Sequence, residues 1–191
     1  MNEEIKYNHL LKTGDTIFIR VNNFLYRRVA EATNSWTSHV GMVHSKENGE
    51  WVIAESTIPV SRLCPLHEFL QKSGDNKFSI KRPIRDLSQT NISNLQKEAN
   101  KHLGQSYTFG FDFNSKNTYC SKFLYQIYKK VLDEKIGDIE TFQKLLTKTR
   151  NMNLWFWRLW FFGKIPWQRF TVTPESLYQC PNLPTVYENN I

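Results

Sequence analysis

The strongest constraint on how this chain folds is the dipeptide Asn48-Gly49. Between two apolar runs, Asn-Gly is the pair that most readily takes the positive φ angles of a two-residue hairpin turn. Ser38-His-Val-Gly-Met-Val-His44 and Trp51-Val-Ile-Ala-Glu55 flank it, so these are predicted as antiparallel neighbours. A hairpin closed at 48–49 carries Glu55 back towards the level of His39. The turn therefore brings an acid and an imidazole together from positions 16 apart.

The rest of the chain reads as strands first and helices later. Asp15-Thr-Ile-Phe-Ile-Arg-Val21 is a β-branched run after a Thr-Gly turn signal, and Lys77 to Arg82 is a further strand before Pro83. Phe24 to Ala32 suits a short helix, and Pro65 to Leu70 one helical turn. Ile92, Leu95, Ala99 and Leu103 follow helical spacing, with Gly104 at the expected C-terminal cap. Cys120 opens the next helix, whose apolar stripe is Leu124, Ile127, Tyr128 and Val131. Asp138 is the expected cap of another helix running through Leu146. Thr173-Pro174-Glu175 is an N-cap, a proline at the first helical position and an acid in the first turn. Strands, helices, then a short strand–helix–strand tail make an α+β chain. No repeat or linker interrupts it, so residues 1–191 are expected to form one domain.

Composition removes several classes. With 40% hydrophobic and 23% charged residues, wholesale disorder is excluded. No apolar run reaches the roughly 18 residues of a membrane span. The opening MNEEIKYNHLLKTGD has acids where a signal peptide needs bases. A reducing, cytoplasmic setting is the expectation. Cys64, Cys120 and Cys180 are too few and too scattered for a disulfide framework, and Cys64-Pro-Leu-His67 is half a zinc site at best. The net charge of +7 favours anionic partners without choosing among them.

Cys120 is the candidate nucleophile. Unpaired N–H groups and the dipole at a helix start favour a thiolate, and Lys122 adds positive charge nearby. His39 is the candidate base: it lies on a predicted core strand, and Gly41 beside it lets something approach closely. Glu55 would hold the second imidazole nitrogen, as the third member of a triad does. A cysteine at a helix start also serves as a small packing residue, and a strand-borne His–Glu pair as a structural one. Spacing alone leaves these readings open.

Taken in order, Gly14-Asp-Thr-Ile-Phe-Ile, Ser38-His-Val-Gly-Met-Val, Val52-Ile-Ala-Glu55, Gly104-Gln-Ser-Tyr107, Tyr119-Cys-Ser-Lys-Phe-Leu and Thr171-Val-Thr-Pro174 form a series. It resembles the YiiX/YebB-like permuted papain-fold family of the NlpC superfamily, across about residues 13 to 187. The resemblance implies an α+β, circularly permuted papain-like fold, with an antiparallel, barrel-like sheet packed on helices. It also implies Cys120 as nucleophile, His39 as base, Glu55 as orienting residue and Tyr107 as an aromatic neighbour of the nucleophile. Tyr119, just before the cysteine, is a further candidate for substrate contact. The family has an acid two residues after the cysteine, where this chain has Lys122, which bears on local charge and substrate preference. The implied activity is amide hydrolysis through a thioester acyl-enzyme, without metal or organic cofactor. A lipid-directed acyl hydrolase or acyltransferase, and a non-catalytic binding module that keeps the cleft, are the alternatives.

A Trp-rich basic insertion is expected at about residues 150–169. From Thr141 to Pro174 there is no acid, while Lys144, Lys148, Arg150, Arg158, Lys164 and Arg169 supply six bases. Within it runs Leu154-Trp-Phe-Trp-Arg-Leu-Trp-Phe-Phe162, too short to span a bilayer. Such rings either pack in the core, wall a cleft or contact a membrane interface. The expectation is that 154–167 lies at the cleft mouth, with Trp157 and Trp160 meeting a small-molecule, peptide-like or lipid-like acyl substrate. Nucleic acid is disfavoured, since stacking platforms usually interleave bases on strands.

Overall fold

The computed structural model describes residues 7–148 and 154–189. Positions 1–6, used above to argue against a signal peptide, and 150–153 of the expected insertion lie outside the described residues.

The first half builds a sheet. β1 (Thr16–Val21), β2 (His39–Glu47), β3 (Glu50–Ser56), β4 (Ser61–Pro65), β5 (Ser73–Lys81) and the late β8 (Thr185–Glu188) assemble in the order β4-β3-β2-β1-β5-β8. Every pairing is antiparallel. The β2–β3 turn has φ of 50° at Asn48 and 87° at Gly49, the left-handed pair that the dipeptide favours. β5 starts at Ser73, four residues before the position expected, and β4 has no counterpart in the sequence reading.

Alternation along the strands sorts side chains onto two faces. Phe18, Val40, Met42 and Ala54 join one cluster, packed on α3 (Gln89–Lys101) and α4 (Cys120–Leu132). Ile17, Ile19, Val43, Ile53 and Cys64 join the other, beneath Phe69 of α2 (Leu66–Gln71). α4 presents Phe123, Leu124, Ile127 and Tyr128, all fully buried. Each contributes about 1.5–3 kcal/mol relative to exposure. Leu124→Ala would cost about 2–5 kcal/mol through the cavity it leaves.

Local signals set the helix ends. Asn23 accepts from Tyr26 N at the start of α1 (Phe24–Ala32). Ser88 and Asn91 form a capping box on α3, and Gly104, with φ of 79°, follows its end. Thr173 caps α7 (Pro174–Tyr178) by accepting from Ser176 N.

The Asp138 expectation is corrected. Asp138 caps nothing helical: Glu140–Thr141 (β6) first pairs with Phe170–Thr171 (β7), and only then does α5 (Phe142–Lys148) begin. The Asp138 N–H donates to Ser176 Oγ at 2.5 Å, so this corner is tied to α7 rather than left free to start a helix. α6 (Trp155–Trp160) follows, before β7.

Candidate active site

His39 is the first residue of β2, where the imidazole meets groups from both layers. The register of the hairpin decides what it meets. Glu47, Lys46 and Ser45 lie opposite Glu50, Trp51 and Val52, but Val43 and Met42 lie opposite Ile53 and Ala54. His44 is thus an extra residue, a β-bulge. Beyond it the register sets Glu55 across from Gly41, on the face shared by His39 and Gly41. The result is a bond of 2.8 Å in which His39 Nε2 donates to Glu55 Oε2, both side chains being buried.

Glu55 is held from every side. Its Oε1 accepts from Arg62 Nε (3.1 Å), Lys72 Nζ and the Cys64 thiol (3.4 Å). Burial pushes this carboxyl up, but His39 and Lys72 outweigh it and hold it well below the usual carboxylate range. Phe69 stacks on the imidazole at 5.5 Å, with Lys72 Nζ 5.4 Å from the Phe69 ring. That stacking explains Gly41: a Cβ there would stand 2.6 Å from Ile53 Cγ2 and 2.8 Å from Phe69 Cε2. The close approach expected at Gly41 is therefore made by the protein's own ring.

Cys120 stands close to the imidazole as well. Nδ1 is buried and has no hydrogen-bond partner among the described residues, while the Cys120 thiol is near enough to the ring to act on its titration. Such contacts are commonly loose in a free enzyme and tighten with substrate. Burial alone would depress the imidazole; Cys120 and Glu55 outweigh it and raise it to about 9. Cys120 opens α4, and the preceding Tyr119 gives no side-chain cap, so the first-turn N–H groups keep their donors free of one. Tyr119 is instead anchored backwards: its hydroxyl meets Thr171 Oγ1 and accepts from Val172 N, both at 3.1 Å.

Tyr26 of α1 packs edge-on to His39 at 5.4 Å, and its side chain lines the same cavity as Tyr107. Burial, with the nearby Cys120 next in effect, pushes the Tyr26 phenol well up, so it stays a neutral donor. Lys122 turns away from this group. Its Nζ donates to Ser115 O (2.5 Å) and Asn117 O (2.8 Å), stapling the loop before α4.

Cys120 borders a narrow cavity of about 30 Å³, with Tyr26, Tyr107, Tyr119, Trp157, Val29 and Phe142 among its walls. Little more than one water fits such a volume. Of the ring-bearing candidates, Tyr107, Tyr119 and Trp157 reach this cavity. Trp160 does not: it lines a separate surface groove, and its Nε1 donates to Phe109 O at 3.0 Å. The stretch 154–162 is split, Phe156 and Trp157 buried, Trp155, Leu159 and Phe162 exposed.

The sequence reading missed Lys72, Arg62, Tyr26 and Phe69. Arg62 was findable only through β4, which pairs it directly with Glu55. Lys72 follows a short helix end and carries no motif. The Cys64–His67 half-site is not assembled, since Cys64 faces Glu55 and His67 pairs with Glu50. Among the described residues no group of three or more His, Cys, Asp or Glu is gathered to hold a metal, and no helix is long and apolar enough to cross a membrane.

No curated protein matches the sequence significantly. The crystal structure of the metalloprotein YiiX from Escherichia coli O157:H7 superposes with a TM-score of 0.81, covering 93% of this chain and 97% of that one at 23% identity. At that identity the likeness speaks for the fold. Residues 10–187 match the permuted papain-like amidase enzymes of the YaeF/YiiX type, peptidase family C92. With His39 ahead of Cys120 in a chain of this topology, the protein belongs to that YaeF/YiiX family of permuted papain-like amidases.

Proposed function

We propose that the chain is a cysteine hydrolase of amide bonds in which Cys120 attacks, His39 moves the protons and Glu55 orients the imidazole. One observation carries this reading: the buried His39 ring has Glu55 bonded to Nε2, its Nδ1 is buried without a partner among the described residues, and the Cys120 thiol is near enough to act on the ring. A purely structural His–Glu pair gives no reason for the second nitrogen to be buried and unpartnered with a thiol nearby.

In this reading His39 takes the Cys120 proton, and sulfur adds to the amide carbonyl carbon. The oxyanion that forms lies against backbone N–H groups at the start of α4. His39 then gives its proton to the amine nitrogen as the C–N bond breaks, leaving a thioester. A water loses a proton to His39, attacks the thioester and releases the carboxylic acid. The thiol recovers its proton. Glu55 takes no proton; it holds Nε2–H and supports the ring's charge. Arg62, Lys72 and Cys64 keep that carboxylate from turning.

The walls beside Cys120 are largely apolar, which favours an apolar acyl group on the carbonyl side and keeps the lipid-like substrates in view. Acyl p-nitroanilides of increasing chain length test both points. Expected are turnover and a thioester trapped on Cys120 by mass spectrometry, both absent in Cys120→Ala and His39→Ala. Turnover that survives Cys120→Ala would overturn the assignment. A folded protein that neither turns over nor is acylated would favour a binding module.

A further inference from the structure

The turn that ends α6 is built against its own conformational preferences. Gly163 N–H donates to Arg158 O at 2.7 Å and Phe162 N–H to Leu159 O at 3.2 Å, the paired bonds of a Schellman cap. The residue that must turn left-handed in that motif is usually glycine. Here it is Phe162, with φ of 50°, while the glycine stands one place later. Packing gives nothing back, because Phe162 is 96% exposed. Trp155 and Leu159 of α6, Phe24 of α1 and Phe109 are exposed as well, and all five line one shallow groove of about 750 Å³.

Among its charged side chains the basic ones predominate. Lys164 and Arg169 line the same groove, and Arg158 is exposed on α6. Arg169 is partly engaged, 4.0 Å from Asp112 and donating to Gly110 O. Among the described residues, however, no carboxylate forms an ion pair with Arg158 or Lys164, and the sequence has no acid from Thr141 to Pro174. The exposed rings and aliphatic side chains form one broad apolar face, which suits a planar surface more than a single peptide segment. An apolar interior beneath an anionic surface fits better. We infer that this face seats on an anionic lipid bilayer, with Phe162, Leu159 and Trp155 entering the interface and Arg158 and Lys164 meeting headgroup phosphates. The opposite side of the same helix presents Trp157 to the cavity at Cys120, so the seat adjoins the candidate active site.

Sedimentation of the whole protein with vesicles tests this without reading activity. Expected is partition onto phosphatidylcholine vesicles containing phosphatidylglycerol, little onto phosphatidylcholine alone, and weakening as salt rises. Phe162→Gly relieves the left-handed strain, so it should melt higher than wild type yet bind anionic vesicles about tenfold more weakly. Lys164→Glu should weaken binding about fivefold or more. Absence of wild-type partition, equal partition of wild type and Phe162→Gly, or a dimer that Phe162→Gly dissociates would overturn the inference, the last by assigning the patch to a second copy. None of these results bears on Cys120, whose acylation is read separately.

Discussion

His39 and Glu55 face one another only because the pairing sets one residue of β2 aside, His44 between Val43 and Ser45. Continued without that step, the register of Ser45 opposite Val52 would put Glu55 across from Met42, on the opposite face of the sheet. Deleting His44 closes the bulge and still leaves Gly41 opposite Glu55. The deletion should therefore keep the His39–Glu55 pair and measurable turnover, losing only the local twist and the contacts of His44 itself. His44→Ala keeps the backbone count and loses only bonds to Asn100 and Ser45, worth about 1 kcal/mol each. Its kcat/KM should stay within a few-fold of wild type, as steady-state kinetics beside thermal melts would register.

Glu55→Gln removes the charge while nearly preserving shape. An orienting residue replaced in this way should leave a folded protein with kcat lowered roughly 10²–10⁴-fold. The loss should be smaller than that of His39→Ala. Equal kcat in Glu55→Gln and wild type would remove Glu55 from the mechanism.

The pH dependence follows from which form of each group the fold favours. His39 is raised from 6.5 to about 9, so its stabilisation is complete below about 6.5 and disappears as pH rises through about 9. Glu55, held below its ordinary 4.5, contributes through neutral pH and fades only in acid. The melting temperature should fall between about pH 7 and pH 9, and the basic limb of kcat/KM should lie near 9, where His39 loses its proton. Both should move to lower pH in Glu55→Gln.

Two buried thiols, Cys64 beside Glu55 and Cys120 near His39, should react differently. Burial, followed by the Glu55 charge, pushes Cys64 up to about 12, so at neutral pH it remains an inert thiol. Iodoacetamide with peptide mapping should label Cys120 first, with the rate falling in His39→Ala. Cys64→Ser retains a donor to Glu55 and should keep most of the activity.

Trp157 and Trp160 lie three residues apart and should behave differently. Trp157 is 5% exposed and packs edge-on to Phe156 and Phe142, so Trp157→Ala should cost about 3–5 kcal/mol and open the cavity beside Cys120. Trp160→Ala, at a half-buried site with one bond to Phe109 O, should cost about 1 kcal/mol. Chemical denaturation of both variants makes the comparison.

What the sequence disclosed here was local. Asn48-Gly49 announces its own turn, and Thr173-Pro174-Glu175 its own helix start, because the physics lies within a few consecutive residues. The bulge at His44 has no such signature, since an extra residue is recognisable only against its partner strand. Arg62 and Lys72 were hidden for a related reason: what draws them together is the charge of Glu55, reached through β4 and the end of α2. Asp138 misled because a helix-capping residue type was read without the β6–β7 pairing that already claims that segment.

The uncapped start of α4 makes the protein its own detector. A helix whose opening N–H groups have neither a side-chain cap nor an acid in the first turn gains stability from whatever negative charge settles there. Ligand binding and thermal resistance are thus linked at Cys120. Aldehydes and other carbonyl compounds that add to the thiol and set an oxyanion at those donors should announce themselves as upward melting shifts. A library ranked by that shift would outline the acyl group before any substrate has been turned over.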